Sequence, residues 1–339
     1  MIERPSPDDL MRSTTQDRGG ALGATAPLVP AVGATGATVA PDLDLSYQSG
    51  VEVKARSQWA YARMRFFRHR LAVASLIILI VAGLVAIFAN TVARYGYDEQ
   101  DYTVILQGPT LSGWHLFGTD ELGRDYLSRV IFGLRTSLWV AFFVAGVATV
   151  LGTIVGAISG YYGGKIDNLL MRFVDLLLVV PFLVILLVLS AYLGQGKPFR
   201  VGLILAFLLW VNLARVVRGT FLSLREKEFV EAAKAAGAGD LRIMFRHMLP
   251  SSMGPIVVTM TLLIAAAILI EAALSFLGFG VQPPTPALGK LIADGQVSGF
   301  SAWWLVTFPG LVIVVVALAV NFVGDGLRDA LDPQQRVRA

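Results

Sequence analysis

The stretch EAAKAAGAGDLRIMFRHMLP, residues 231–250, decides how the rest of this chain is read. It is an Ala-rich, moderately charged island between long apolar segments. Glu231, followed by Ala232 and Ala233, starts a good helix former, and Gly237 and Gly239 interrupt it. Asp240 can cap a second short helix, which Pro250 is expected to close. A helix–turn–helix held between apolar runs has the form of a segment that seats in another protein.

The surrounding composition supplies the setting. The chain has 339 residues, of which 55% are hydrophobic and 15% charged, with a mean hydropathy of +0.66. Soluble domains carry about a quarter charged residues, so this balance points to membrane insertion. The net charge of +4 is small and tied to the membrane flanks, which argues against nucleic acid as a partner. With 0 cysteines, disulfides and thiolate metal sites are excluded. His69, His115 and His247 are scattered and give no metal centre. The first apolar run begins near residue 71, too late for a cleavable signal peptide.

Residues 1–50 are rich in Ala, Gly, Thr and Pro without apolar periodicity and read as a disordered tail. Residues 51–70 interleave Trp59, Tyr61, Phe66 and Phe67 with Arg56, Arg63, Arg65, Arg68 and Arg70, which suits the headgroup layer of an anionic leaflet. Apolar segments follow at about 71–92, 136–160, 169–193, 201–222, 255–279 and 303–324. Each is near the ~20 residues a helix needs to cross ~30 Å of hydrocarbon. The expectation is an all-α, polytopic membrane helical bundle with six transmembrane helices. Short joins at 161–168 and 194–200 make sequence neighbours antiparallel partners. Gly146, Gly152, Gly156 and Gly160 fall at or near four-residue spacing and permit close helix contact.

Lys and Arg collect before the first span and around the fourth-to-fifth loop, at Arg215, Arg218, Arg225, Lys227, Lys234, Arg242 and Arg246. Arg328, Arg336 and Arg338 follow the last span. The loop at 94–135 is richer in acids than bases, and Lys197 and Arg200 are a minority exception. Both termini, the tail at 331–339 and the 222–250 loop are therefore expected on the cytoplasmic side.

Further segments carry candidate function. In the external loop, GTDELGRDYLSRVIFGLRTSL at 118–138 places Asp120, Arg124, Asp125 and Arg129 in an ordered polar lid. Leu122, Tyr126, Leu127, Val130, Ile131 and Leu134 are spaced for an amphipathic helix lying along the outer surface. That helix either covers the bundle or docks something arriving from outside. Within the spans, Asp175, Asn212, Glu271 and Asn321 either line a polar translocation path or hydrogen-bond between helices. Pro181 is placed to kink the third span. Pro283, Pro284 and Pro286 force an extended connection after Glu271, as part of the outer mouth. There is no GxxxxGK[ST], since GYYGGKI at 160–166 has the wrong spacing and no hydroxyl residue; no nucleophile elbow, HExxH or paired catalytic carboxylates occur either. The chain is therefore not expected to be an enzyme, and a nucleotide would have to bind elsewhere.

The order Glu231-Ala232-Ala233, Gly237, His247-Met248-Leu249-Pro250 resembles the EAA loop of bacterial ABC-importer permeases. QWAYARMRFFRHRLA, GTDELGRDYLSR, EAALSFLGFGVQPP and GDGLRDALDP (324–333) resemble the dipeptide/oligopeptide permease subunit of the C type, and the likeness covers about residues 57–333. The chain departs from that pattern in its long N-terminal tail, in Ser251 after the proline, and in Ala287-Leu288 before Gly289. The resemblance implies one peripheral N-terminal helix plus a five-helix core at about 136–330. It implies a homologous B-type permease, two cytoplasmic ABC ATPase subunits that carry ATP and Mg, and an extracytoplasmic peptide-binding protein. It places Glu231, Ala232, Ala233, Gly237, Asp240, His247, Leu249 and Pro250 in the ATPase-coupling region, and sets the chain in the bacterial cytoplasmic membrane. Import of nickel, glutathione or a glycosylated peptide is the family-level alternative. A stand-alone ion-coupled carrier using Asp175 and Glu271 is the alternative from another class.

Overall fold

A computed structural model of the chain describes residues 58–193 and 196–331. The tail at 1–50, residues 332–339 with Arg336 and Arg338, and Lys54 and Arg56 lie outside the described residues. The helices are α1 (Gln58–Arg68), α2 (Arg70–Ile87), α3 (Ala89–Val92), α4 (Tyr126–Tyr162), α5 (Gly164–Val179), α6 (Phe182–Leu193), α7 (Pro198–Arg225), α8 (Glu228–Ala235), α9 (Asp240–Arg242), α10 (Leu249–Phe276), α11 (Leu288–Val297) and α12 (Trp304–Leu331). Among the described residues, β-type pairing is confined to isolated bridges between Thr119 and Asp125 and between Gly196 and Val281. The all-α expectation holds.

Among the described residues the span count is five single runs, or six with one bent pair counted as a span. Five runs are long and apolar enough to cross a bilayer: α2, α4, α7, the continuous rod Asp240–Phe276, and α12. The expected third span, 169–193, is instead the pair α5 and α6, bent by 87°. The bend follows from Pro181. Its ring crowds a helical predecessor, and Val180 accordingly sits extended at φ −78°, ψ 133°.

The surface helix expected over 122–134 is not separate. Asp125 caps α4 by accepting from the Ser128 N–H at 2.8 Å, and the helix runs on for 37 residues, through its internal glycines, to Gly163 at φ +67°. Its first turns are buried, including Tyr126, Ser128, Arg129, Val130 and Ile131. Pro250 likewise does not end a helix. It falls inside the continuous rod Asp240–Phe276, where the π-turn at Ile243–Met248 leads from α9 into α10.

The centre of the bundle is α4 against α7. Of the most apolar stretch of α7, 67% is buried, against 17% for α2, which is peripheral; Ala72 of α2 and Phe66 of α1 pack with Ala330 of α12. Ala141, Ala145, Ala148, Gly152, Gly156 and Gly160 form a buried stripe of small residues on α4. Gly152 lies against Trp210 and Leu213, Gly156 against Ala214 and Val217, and Gly160 against Phe221. Both numberings rise together, so α4 and α7 are parallel. The tightest pair is thus not one of sequence neighbours, because the bent α5–α6 unit supplies the return between them. Gly146 is off this seam, with open space around it.

This seam can be tested. A Cβ on Gly156 would lie 2.8 Å from the Val217 Cβ. Gly156→Leu should therefore destabilise the detergent-solubilised protein by about 3 kcal/mol or more, read as a drop in thermal midpoint. Gly146→Ala, with free space and better helix propensity, should leave it unchanged or raise it by up to about 1 kcal/mol.

Candidate functional site

The 231–250 stretch forms a compact turn at one end of the bundle. Glu228 and Glu231 lie in the first turn of α8 and Lys234 in its last, which suits the helix dipole. The helix ends in a Schellman motif. The Gly237 N–H donates to the Lys234 carbonyl at 2.9 Å, and the Ala238 N–H donates to the Ala233 carbonyl at 3.0 Å. Gly237 has φ +77° and nothing within 4 Å of a Cβ position, so glycine is needed there for backbone conformation and not for room.

The underside of the turn is anchored. Val230, Ile243, Met244 and Met248 are buried in the main core. Asp240 does not cap a helix with its side chain; Gly239 holds the N-cap position, and the Asp240 carboxylate accepts from the Tyr161 hydroxyl at 2.7 Å. Tyr161, at the end of α4, also offers its carbonyl to Arg225 Nη1 at 3.1 Å, and Lys234 Nζ sits 6.0 Å from its ring centre. One residue of α4 thereby joins α7, α8 and α9. Nearby, Asp167 takes a bidentate fork from Arg218 at 2.5 and 2.6 Å and a bond from the Ser159 hydroxyl, which fixes the corner between α4 and α5.

Glu231, Ala232, Gly237, Asp240 and Pro250 are exposed, while Ala233, His247 and Leu249 are half-buried and belong to the underside. Leu241 and Phe245, 67% and 59% exposed, instead border an apolar pocket shared with Ile154, Ala157 and Ile158 of α4. The sequence reading did not single these out. Their i, i+4 spacing, offset from buried Met244 and Met248, was the available signal.

The intramembrane polar candidates do not converge. Glu271 is 0% exposed and accepts from Ser137 Oγ and Ser275 Oγ, each at 2.7 Å. Ser275 Oγ in turn accepts from the Val281 N–H at 3.2 Å, so this carboxylate ties α4, α10 and the 277–287 loop together. Asn321 is half-buried on α12. Asp175 and Asn212 are exposed, and Asp175 pairs with Arg215 of α7, which the sequence reading left out of its path.

At the opposite end, the acidic and basic candidates form one knot. Asp120 accepts from the backbone N–H groups of Leu122 and Arg124 at 2.9 and 3.0 Å, from Arg124 Nε at 2.7 Å and from Arg129 Nη1. Asp125 meets His115 Nδ1 at 2.9 Å while capping α4. Asp120, Asp125 and Arg129 are buried, leaving Arg124 as the more accessible member. A cavity of about 240 Å³ opens beside them, lined also by Glu121, Asp294 and Ser298. Among the described residues no set of three His, Asp or Glu side chains gathers to hold a metal ion.

Comparison with known proteins bears on this arrangement. Residues 57–109 match the N-terminal TM domain of oligopeptide transport permease C. The oligopeptide transport system permease protein OppC of Haemophilus influenzae is 41% identical over 286 residues, 84% of this chain and 92% of that protein. Its Escherichia coli K12 counterpart is 42% identical, covering 86% of this chain and 96% of that one. The dipeptide transport system permease protein DppC of Alkalihalophilus pseudofirmus is 43% identical, over 83% and 92%. Among solved structures, the inward-facing MetNI methionine ABC transporter matches with a TM-score of 0.49 and 19% identity, covering 61% of this chain and 97% of that one. Residues 152–337, which include the α4–α7 seam from Gly152 onward and the whole 231–250 turn, match the model of the binding-protein-dependent transport system inner membrane component. With that match and these relatives, the chain belongs to the family of binding-protein-dependent transport permeases, as a multi-pass inner-membrane protein.

Proposed function

We infer that this chain is a permease subunit of an ATP-driven importer of di- and oligopeptides, with the 231–250 turn as the point where partner ATPases act. Relatives at 41–43% identity over more than four-fifths of the chain, all carrying peptide-permease names, support the cargo class. The observation that carries the coupling role is the Schellman-capped turn itself: an outward face of small residues on a base held by Tyr161, Val230 and Met248. A partner groove can approach Ala232 closely, and Glu231 can pair with a basic side chain.

In this reading two cytoplasmic ATPases carry ATP and Mg, and a homologous B-type permease completes the passage. An extracytoplasmic peptide-binding protein docks at the opposite end, near Arg124 and the 118–138 segment. The turn and both termini lie on the cytoplasmic side. Closure of the ATPase pair displaces the turn. Because Tyr161 and Arg225 tie the turn to α4 and α7, displacement is passed to the central seam and alternates the two openings. The carrier alternative would need Asp175 and Glu271 in one relay, whereas Glu271 meets only serines and Asp175 meets Arg215.

Reconstitution with the partner subunits tests this. Gly237→Val forces a β-branched residue into positive φ, at a cost of about 1–3 kcal/mol, and should cut ATP-dependent peptide uptake about tenfold or more with insertion intact. Glu231→Lys should do the same by reversing the charge offered to the ATPase; unchanged uptake in both variants would remove the coupling role. Tyr161→Phe deletes only the bond to Asp240, worth about 1 kcal/mol, and should slow uptake several-fold without altering expression.

A further inference from the structure

The pairs Asp167–Arg218 and Asp175–Arg215 join the same two helices, α5 and α7, yet they differ in kind. Asp167 fills two positions of the Arg218 fork, and those side chains are 13% and 35% exposed. That pair is structural. Arg215 makes one bond to Asp175, from Nη2 to Oδ1 at 2.5 Å, and the two side chains are 48% and 51% exposed. Its remaining N–H donors are open to whatever faces α7.

Their depth matters. Arg215 stands ten residues before the end of α7, about 15 Å along the axis, and Asp175 eleven residues after the start of α5, about 16 Å. Arg215 lies within a helix long and apolar enough to cross the bilayer, and Asp175 within the bent α5–α6 unit, which is apolar enough only as a pair. A half-exposed ion pair at that depth is costly against hydrocarbon, so this face meets water or polar groups. Asn212, three residues before Arg215 and exposed, extends the same polar face.

We propose that Arg215 is a cargo-contacting residue: it faces the water-filled passage and takes the terminal carboxylate of a passing peptide, while Asp175 positions and neutralises it between cargoes. An arginine fork held by a single bond suits exchange between two carboxylates, since one partner replaces the other without leaving the cation unpaired. The cargo half of this proposal rests on the peptide-permease reading above.

The wild-type chain contains 0 cysteines, so single cysteines report cleanly when labelling is read by mass on this chain. In the assembled transporter in vesicles, Asn212→Cys and Arg215→Cys should react with a membrane-impermeant methanethiosulfonate, and trialanine supplied with the binding protein should slow that reaction several-fold. Ile80→Cys, on the outer face of peripheral α2, should stay unmodified. Arg215→Gln should lower the uptake of trialanine about tenfold, as expected for loss of a charge-assisted bond, and Arg215→Lys should retain more. Unreactive cysteines in a transporter that still takes up trialanine would mean that another subunit or lipid covers the face, and would overturn the proposal. So would reactivity indifferent to trialanine together with unchanged uptake by Arg215→Gln. If the unsubstituted transporter moves no trialanine, the cargo reading fails instead, and the carboxylate contact with it.

Discussion

The structure depends on the close approach of α4 and α7. Three glycines at four-residue intervals, Gly152, Gly156 and Gly160, let the backbones of two parallel helices meet where any Cβ would collide. In lipid there is little hydrophobic gain from bringing apolar helices together, so dispersion contact across such a seam must hold the pair. Everything else is arranged around it. The bent α5–α6 unit supplies the return, the rod Asp240–Phe276 and α12 pack beside it, and α2 attaches at the periphery.

Both ends of the seam are finished with polar bonds that the apolar spans could not make by themselves. At one end, Ser159, Asp167 and Arg218 lock the corner after α4, and Tyr161 reaches Asp240 and Arg225. At the other, Asp120 gathers Arg124 and Arg129, and the Tyr126 hydroxyl donates to the Leu305 carbonyl at 2.6 Å. Between them, Glu271 has no cationic partner and is satisfied by two serines, which joins α4 to α10. A buried carboxylate so placed is expensive unless hydrogen-bonded, and here both oxygens are. The polar residues of the bundle thus divide into those that close the structure and the half-exposed set on α5 and α7.

Much of this was legible in the residues. Apolar runs of sufficient length announced the spans, and the spacing of Gly152, Gly156 and Gly160 announced a close contact without naming the partner. Gly237 was readable as a turn because glycine alone tolerates positive φ there. Pro181 was readable as a break, but not as an 87° bend. The errors share a cause. Pro250 and the amphipathic run from Leu122 were judged by local propensity, whereas a π-turn carries the rod through to Pro250 and the polar side of that run is buried by other parts of the chain.

By itself, the sequence determined the class of the protein. Its hydropathy and span lengths mark a polytopic membrane protein, and the order Glu231-Ala232-Ala233, Gly237, His247, Pro250 carries the resemblance to the permease family, because these depend on composition and local spacing. Only the tertiary structure decided which polar groups are used up and which remain available. Glu271 and Asp120 look like functional carboxylates in the sequence, yet each is saturated by groups far away along the chain or across a tight loop. Arg215 counted in the sequence only as one of the basic residues flanking the fourth-to-fifth loop, and it emerges half-exposed beside Asp175, 40 residues distant. Hydrogen-bond satisfaction is a property of which helices touch, and in this bundle the helices that touch most closely are not neighbours in the chain.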